Sequence, residues 1–173
     1  PLVETGDVFL EKIGDRDAAA QTYVMALDQD PQNRNLLTKL MGVYSDSQDW
    51  SRLVEVILRI ASMVDAPDQL AKYYNTAANI AHKELGRYDE AANYYEAALQ
   101  HLAPEAGRPQ LKGLVQCLTE NQDWDRLERA YESRYTRLTD VDAPVQERAA
   151  VLDARGRVLA EQLGRTHEAL ELY

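Results

Sequence analysis

Three histidines, one cysteine and 29 carboxylates are the side chains here that could carry catalysis or hold a metal, and their spacing argues against both. His82 stands in Ala81-His82-Lys83-Glu84 and His101 follows Leu99-Gln100. His167-Glu168 lacks a second histidine four residues on, which a zinc site would need to place two ligands on one helical face. All three are therefore expected in structural or solvent-facing roles. Cys117 stands alone, which excludes an intramolecular disulfide framework and the usual thiolate zinc site. The carboxylates are dispersed. Asp17, Asp89, Asp125 and Glu168 fall just after turn-like segments, where an acid complements the positive end of a helix. No Gly-x-Ser-x-Gly, phosphate-cradling loop or dinucleotide fingerprint is present. The sequence predicts no enzyme, no metal and no cofactor.

Charge narrows the partners. Lys and Arg number 19 against 29 Asp and Glu, a net charge of -10 that repels phosphate backbones, so nucleic acid is not expected. Residues 1–86 carry 8 basic and 13 acidic side chains and residues 87–173 carry 11 and 16, so each half nets -5 and no basic stripe is expected. With 45% apolar residues, 8 Gly and 6 Pro, the 173-residue chain has an ordinary globular composition. No run of eighteen apolar residues occurs, so membrane insertion is not expected. The chain begins at Pro1 and stops inside an apolar-periodic segment at Tyr173, and is read as a fragment of a longer protein. Its compartment is unknown from sequence: the cytoplasm is the default, and a targeting signal could lie outside the fragment.

The elements that position these residues are written as a repeat. Five turn-like segments recur at 14–17, 48–51, 86–89, 122–125 and 164–167; their third residues, 16, 50, 88, 124 and 166, are spaced by 34, 38, 36 and 42. After each comes a small or apolar residue with an aromatic or branched one four later: Ala19 and Tyr23, Leu53 and Ile57, Ala91 and Tyr95, Leu127 and Tyr131, Ala169 and Tyr173. Before the last four turns run Leu37, Leu40, Met41, Tyr44, then Tyr74, Ala77, Ala78, Ala81, then Leu111, Leu114, Val115, Leu118, then Leu152, Arg155, Gly156, Leu159, in which Arg155 breaks the pattern. That i, i+3, i+4, i+7 rhythm is one face of an amphipathic helix. Pro31, Pro67, Pro104 and Pro144 fall between successive pairs, where proline stops a helix or opens the next. Trp50 and Trp124 occupy the turn position that Tyr88 fills elsewhere, and are read as closing hairpins rather than anchoring a ligand.

Leu85-Gly86-Arg87-Tyr88-Asp89-Glu90-Ala91-Ala92-Asn93-Tyr94-Tyr95-Glu96-Ala97-Ala98-Leu99, together with Ala26-Leu27-Asp28-Gln29-Asp30-Pro31, resembles the second helix of the tetratricopeptide repeat family. Around 122–138 the pattern degenerates, with Arg134 where a small residue belongs. A second order is superposed: Asp65-Ala66-Pro67 returns as Asp142-Ala143-Pro144, and glycine turns alternate with Gln-Asp-Trp turns, as though a pair of hairpins had been duplicated. Such doubled units are similar to bacterial scaffold proteins of this family. The resemblance implies an all-α fold, a right-handed α-solenoid of stacked antiparallel helix pairs over 1–173 as a single repeat domain.

The same resemblance places a partner-binding groove on the polar side of the first helices: Asn35 and Thr38 with Gly42 and Ser45, then Lys72, Asn75, Asn79 and His82, then Lys112 and Gln116 with Thr119, then Asp153 and Arg157. It implies a protein or peptide as partner, with Lys72, Asn75, Asn79 and Lys112 expected in one patch. The alternative is a structural spacer within a long array, with no groove ligand. Leu170 and Tyr173, left uncovered at the cut end, are expected to allow weak self-association.

Overall fold

The computed structural model describes all 173 residues, and every regular element is helical. Ten α-helices follow one another: α1 Leu2–Val8, α2 Arg16–Gln29, α3 Arg34–Asp46, α4 Trp50–Ala61, α5 Pro67–Lys83, α6 Tyr88–Gln100, α7 Arg108–Glu120, α8 Trp124–Asp140, α9 Val145–Arg157 and α10 Thr166–Leu170. α1 runs on through a wider π-turn at Phe9–Ile13, and α9 through another at Val158–Gln162. They form two compact units, Pro1–Gly86 with α1 to α5 and Arg87–Tyr173 with α6 to α10.

The turns follow one physical recipe. Gly14, Gln48, Gly86, Gln122 and Gly164 all take the left-handed backbone conformation that ends a helix, at φ 74, 57, 61, 54 and 66. Asp49 N–H then donates to Tyr44 O, and Asp123 N–H to Leu118 O, at 2.9 Å each. The aspartate at this position also starts the next helix. Asp15, Asp49 and Asp123 accept from the backbone N–H of Ala18, Arg52 and Arg126, satisfying donors that a helix start leaves unpaired.

Each helix buries the face its sequence period marked. In the first unit, Ala19, Tyr23, Leu37, Leu40, Ile57, Ala77, Ala78 and Ala81 are essentially inaccessible; in the second, Ala91, Ala98, Leu114, Cys117, Leu118 and Leu159 are. Within each unit successive helices pack on one another, so thin layers that could not bury an apolar face alone do so by stacking. The long repeat spacings come from α5 and α8, 17 residues each, from a 3-10 turn at Pro104–Ala106, and from the π-turn that extends α9. Trp50 and Trp124 open α4 and α8 and are half-buried.

Tyr23 and Tyr95 are buried, whereas Tyr173, the last residue of the sequence, is 78% exposed, as expected, with the tip of its ring on Gly156. Leu170 is likewise uncovered.

Candidate functional site

The first helix faces carry the expected polar residues, and the structure differentiates them. On α5, Ala71, Ala77, Ala78 and Ala81 form the buried face, and Lys72, Asn75, Asn79 and His82 run beside it in steps of three and four residues. Asn75, Asn79 and His82 are half-buried, and Lys72 is exposed. The Asn79 amide donates to the Asn75 carbonyl at 2.9 Å, which fixes it along the helix. On α3, Asn35, Thr38, Gly42 and Ser45 are exposed, and the Thr38 hydroxyl donates to Arg34 O of its own helix. The Arg34 guanidinium donates to the Tyr73 hydroxyl at 3.5 Å, joining the starts of α3 and α5.

The second unit repeats this link with stronger chemistry. Arg108, 74 residues after Arg34, grips Glu147, 74 residues after Tyr73, through two hydrogen bonds of 3.2 and 2.9 Å between the starts of α7 and α9. The Arg108 guanidinium holds the Glu147 carboxyl below the usual carboxylate range. Lys112 and Gln116 are exposed on α7. Arg157 on α9 is exposed but forms an ion pair with Asp153, whose carboxylate also accepts from the Tyr173 hydroxyl at 3.3 Å.

Four arginines nonetheless form a row along one side of α8, Arg126, Arg129, Arg134 and Arg137, of which only Arg129 is exposed. Counting charge by halves hid it, because acids on neighbouring helices cancel it in the sum. The spacing of three, five and three residues was the available signal. The stripe edges a cleft of about 540 Å³ whose wall includes Leu99, Leu111, Leu114 and Ala130, where α7 and α8 pack less extensively than α6 does on α7.

Most of these arginines have partners. Arg126 binds both oxygens of Glu96 at 2.9 and 2.8 Å, reaches Asp89 at 3.1 Å and donates to Asn93 at 2.5 Å. Arg134, buried where a small residue belongs, donates to Pro104 O and to Glu147 at 3.2 Å. Desolvation pulls its guanidinium below the usual range, and the positive charges of Arg137 and Arg108 add to that. Arg137 donates to the carbonyls of Leu99 and Leu102. Arg155, the break in the apolar rhythm of α9, pairs with Glu128 at 2.6 Å and Glu132 at 2.7 Å on α8. Both sequence irregularities are thus polar joints between helices.

The remaining chemistry-bearing groups lie apart. Burial pushes the Cys117 thiol up to about 11, which keeps it protonated and unreactive. His101 is half-buried, and His167 lies 3.3 Å from Glu171 on an exposed turn. No three His, Cys, Asp or Glu side chains converge in a metal-binding arrangement. No helix is long and apolar enough to cross a membrane.

Stacked antiparallel helix hairpins with repeated caps define an all-α helical-repeat protein. Residues 77–110, from within α5 to the start of α7, match the model of the tetratricopeptide repeat. Among solved structures, the chain is similar to MamA protein, at 19% identity over 99% of this chain and 85% of that one, with a TM-score of 0.48. It is also similar to YrrB, described as a TPR protein with an unusual peptide-binding site, at 14% identity over 99% and 81%, TM-score 0.47. A third is BtubC from P. vanneervenii, at 18% identity over 92% and 70%, TM-score 0.47.

Proposed function

We propose that this chain is a protein-interaction scaffold, not a catalyst, whose first helices present a polar face to a peptide or partner helix. The observation that carries the reading is the face of α5, where Asn75 and Asn79 are half-buried beside exposed Lys72. An amide both donates and accepts, so it can satisfy the unpaired backbone of an extended peptide, while a lysine alongside favours a carboxylate. Lys112 and Gln116 offer the same chemistry on α7. Tetratricopeptide repeats generally serve as scaffolds, which accords with the repeat at 77–110.

A spacer role is the second reading, and it too has an observation in its favour. The Thr38 and Thr119 hydroxyls and the Asn79 amide donate to their own helices, and Arg157 is occupied by Asp153, so several groove positions offer less to a ligand than their residue types imply. A pull-down from the source cell with wild type and with Asn75→Ala/Asn79→Ala separates the two. A protein captured by wild type and lost by the variant supports the α5 face. Equal capture places binding elsewhere, and no capture by either favours the spacer.

A further inference from the structure

The joint between α8 and α9 carries charge at positions where its counterpart in the first unit, between α4 and α5, carries none. α4 and α8 align with an offset of 74 through their Gln-Asp-Trp starts. α5 and α9 align with an offset of 78 through their N-terminal caps, Ala66 and Pro144, and the left-handed glycines that follow them, Gly86 and Gly164. In that register Val54, Leu58 and Ile60 of α4 correspond to Glu128, Glu132 and Arg134 of α8, and Gln69, Leu70 and Ala77 of α5 to Glu147, Arg148 and Arg155 of α9. Uncharged and mostly apolar positions in one unit are thus three acids and three arginines in the other.

These charges are paired across the joint. Glu128 is buried, and Arg155 binds it at 2.6 Å and Glu132 at 2.7 Å. Glu147 takes Arg134 at 3.2 Å and Arg108, from α7, at 2.9 Å. Apolar contact is left to a small cluster of Leu138, Ala143 and Val151 with Tyr131 and Tyr135, and α9 packs on α8 less extensively than α5 does on α4. An ion pair taken out of water does little more than offset its own desolvation, whereas apolar side chains of similar volume stabilise outright. α9 and α10 pack on each other and reach the rest of their unit through α8 and Arg108.

We propose that residues 145–173 form a latch: α9 and α10 swing off α8 as one piece while α6, α7 and α8 stay folded, and the opening bares Tyr131, Tyr135 and Leu138. Opening below the level of global unfolding starts at the least stable joint of a stack. Release returns Glu128, Arg155, Arg134 and Glu147 to water and recovers their hydration, so it costs less than prying α5 from α4. The latch is a property of the second unit alone and is independent of the α5 face.

The test is native-state hydrogen exchange of the full chain in low denaturant, with α5 as the internal standard for α9. Amides of Val151, Asp153 and Arg155 should open together, at least about tenfold more often than those of Ala77, Ala78 and Ala81, while Leu114 and Leu118 of α7 stay protected. Two variants separate a charged latch from simple fraying of the last helices. Arg155→Ala alone strands Glu128 in the joint and should raise α9 opening about tenfold or more. Glu128→Val/Glu132→Leu/Arg155→Ala, which writes the residues of the first unit into the second, should lower it about tenfold or more below wild type and leave α5 unchanged. Equal protection of α5 and α9 in wild type, exchange of α9 only on global unfolding, or a triple variant that opens as often as wild type or more would each overturn the proposal.

Discussion

The ring of Tyr95 on α6 lies directly against Gly113 on α7, so closely that a Cβ at position 113 would meet ring carbon Cε2 at 2.7 Å. The same device closes the first hairpin, where Tyr23 lies on Gly6. Tyr95 is almost fully buried and its ring cannot swing aside, so Gly113→Ala is expected to destabilise by about 1 to 3 kcal/mol. Gly42, in the exposed interior of α3, has nothing near its missing Cβ; there Gly42→Ala should instead stabilise by about 0.5 to 1 kcal/mol. Denaturant melts of the two variants should move in opposite directions.

Gln48 and Gln122 hold the left-handed position that glycine holds in the other three hairpins. A side chain there strains the backbone, and glycine relieves the strain. Gln48→Gly and Gln122→Gly should each stabilise by about 0.5 to 1 kcal/mol despite the freedom glycine adds to the unfolded chain. A loss of stability in both would show that the glutamine side chains make contacts outweighing the strain.

Asp7 joins three helices: its Oδ1 accepts from the Tyr23 hydroxyl at 2.5 Å and from Lys39 Nζ at 2.6 Å, with Lys39 also lying 5.7 Å from the Tyr23 ring centre. The Lys39 hydrogen bond, helped by that of Tyr23, holds the Asp7 carboxyl below its ordinary range. A carboxylate with a depressed folded-state pKa contributes stability above its unfolded value of about 3.9 and loses it as pH falls through the folded value. Asp7→Asn should therefore melt below wild type at neutral pH, with the gap narrowing as pH falls below about 4. A gap independent of pH would remove the ion pair from the account.

The repeat was legible because burial writes a period into the sequence: Ala19 with Tyr23 and Ala91 with Tyr95 are buried as their columns require. Tyr173 and Leu170 are uncovered, as the sequence led one to expect, and the tip of the Tyr173 ring still lies on Gly156. The left-handed role of Gln48 and Gln122 was half-visible in their alternation with glycine. Arg134 was not readable as buried, since its acceptor, Pro104 O, lies 30 residues away in a loop whose path only the packed structure defines. On the first helices, residue types were readable but their availability was not. Whether a threonine turns into its own helix, or an arginine is taken by Asp153, depends on rotamers and neighbours that periodicity does not encode.

The scaffold reading is tested most directly by site-specific photocrosslinking in the source cell, with benzoylphenylalanine placed at Lys72 on the first-helix face or at exposed Glu55 on α4. A discrete crosslinked protein is expected from position 72 that is absent from position 55 and is lost when Asn75→Ala/Asn79→Ala is added. A crosslink of equal strength from position 55, or none from position 72, would contradict it.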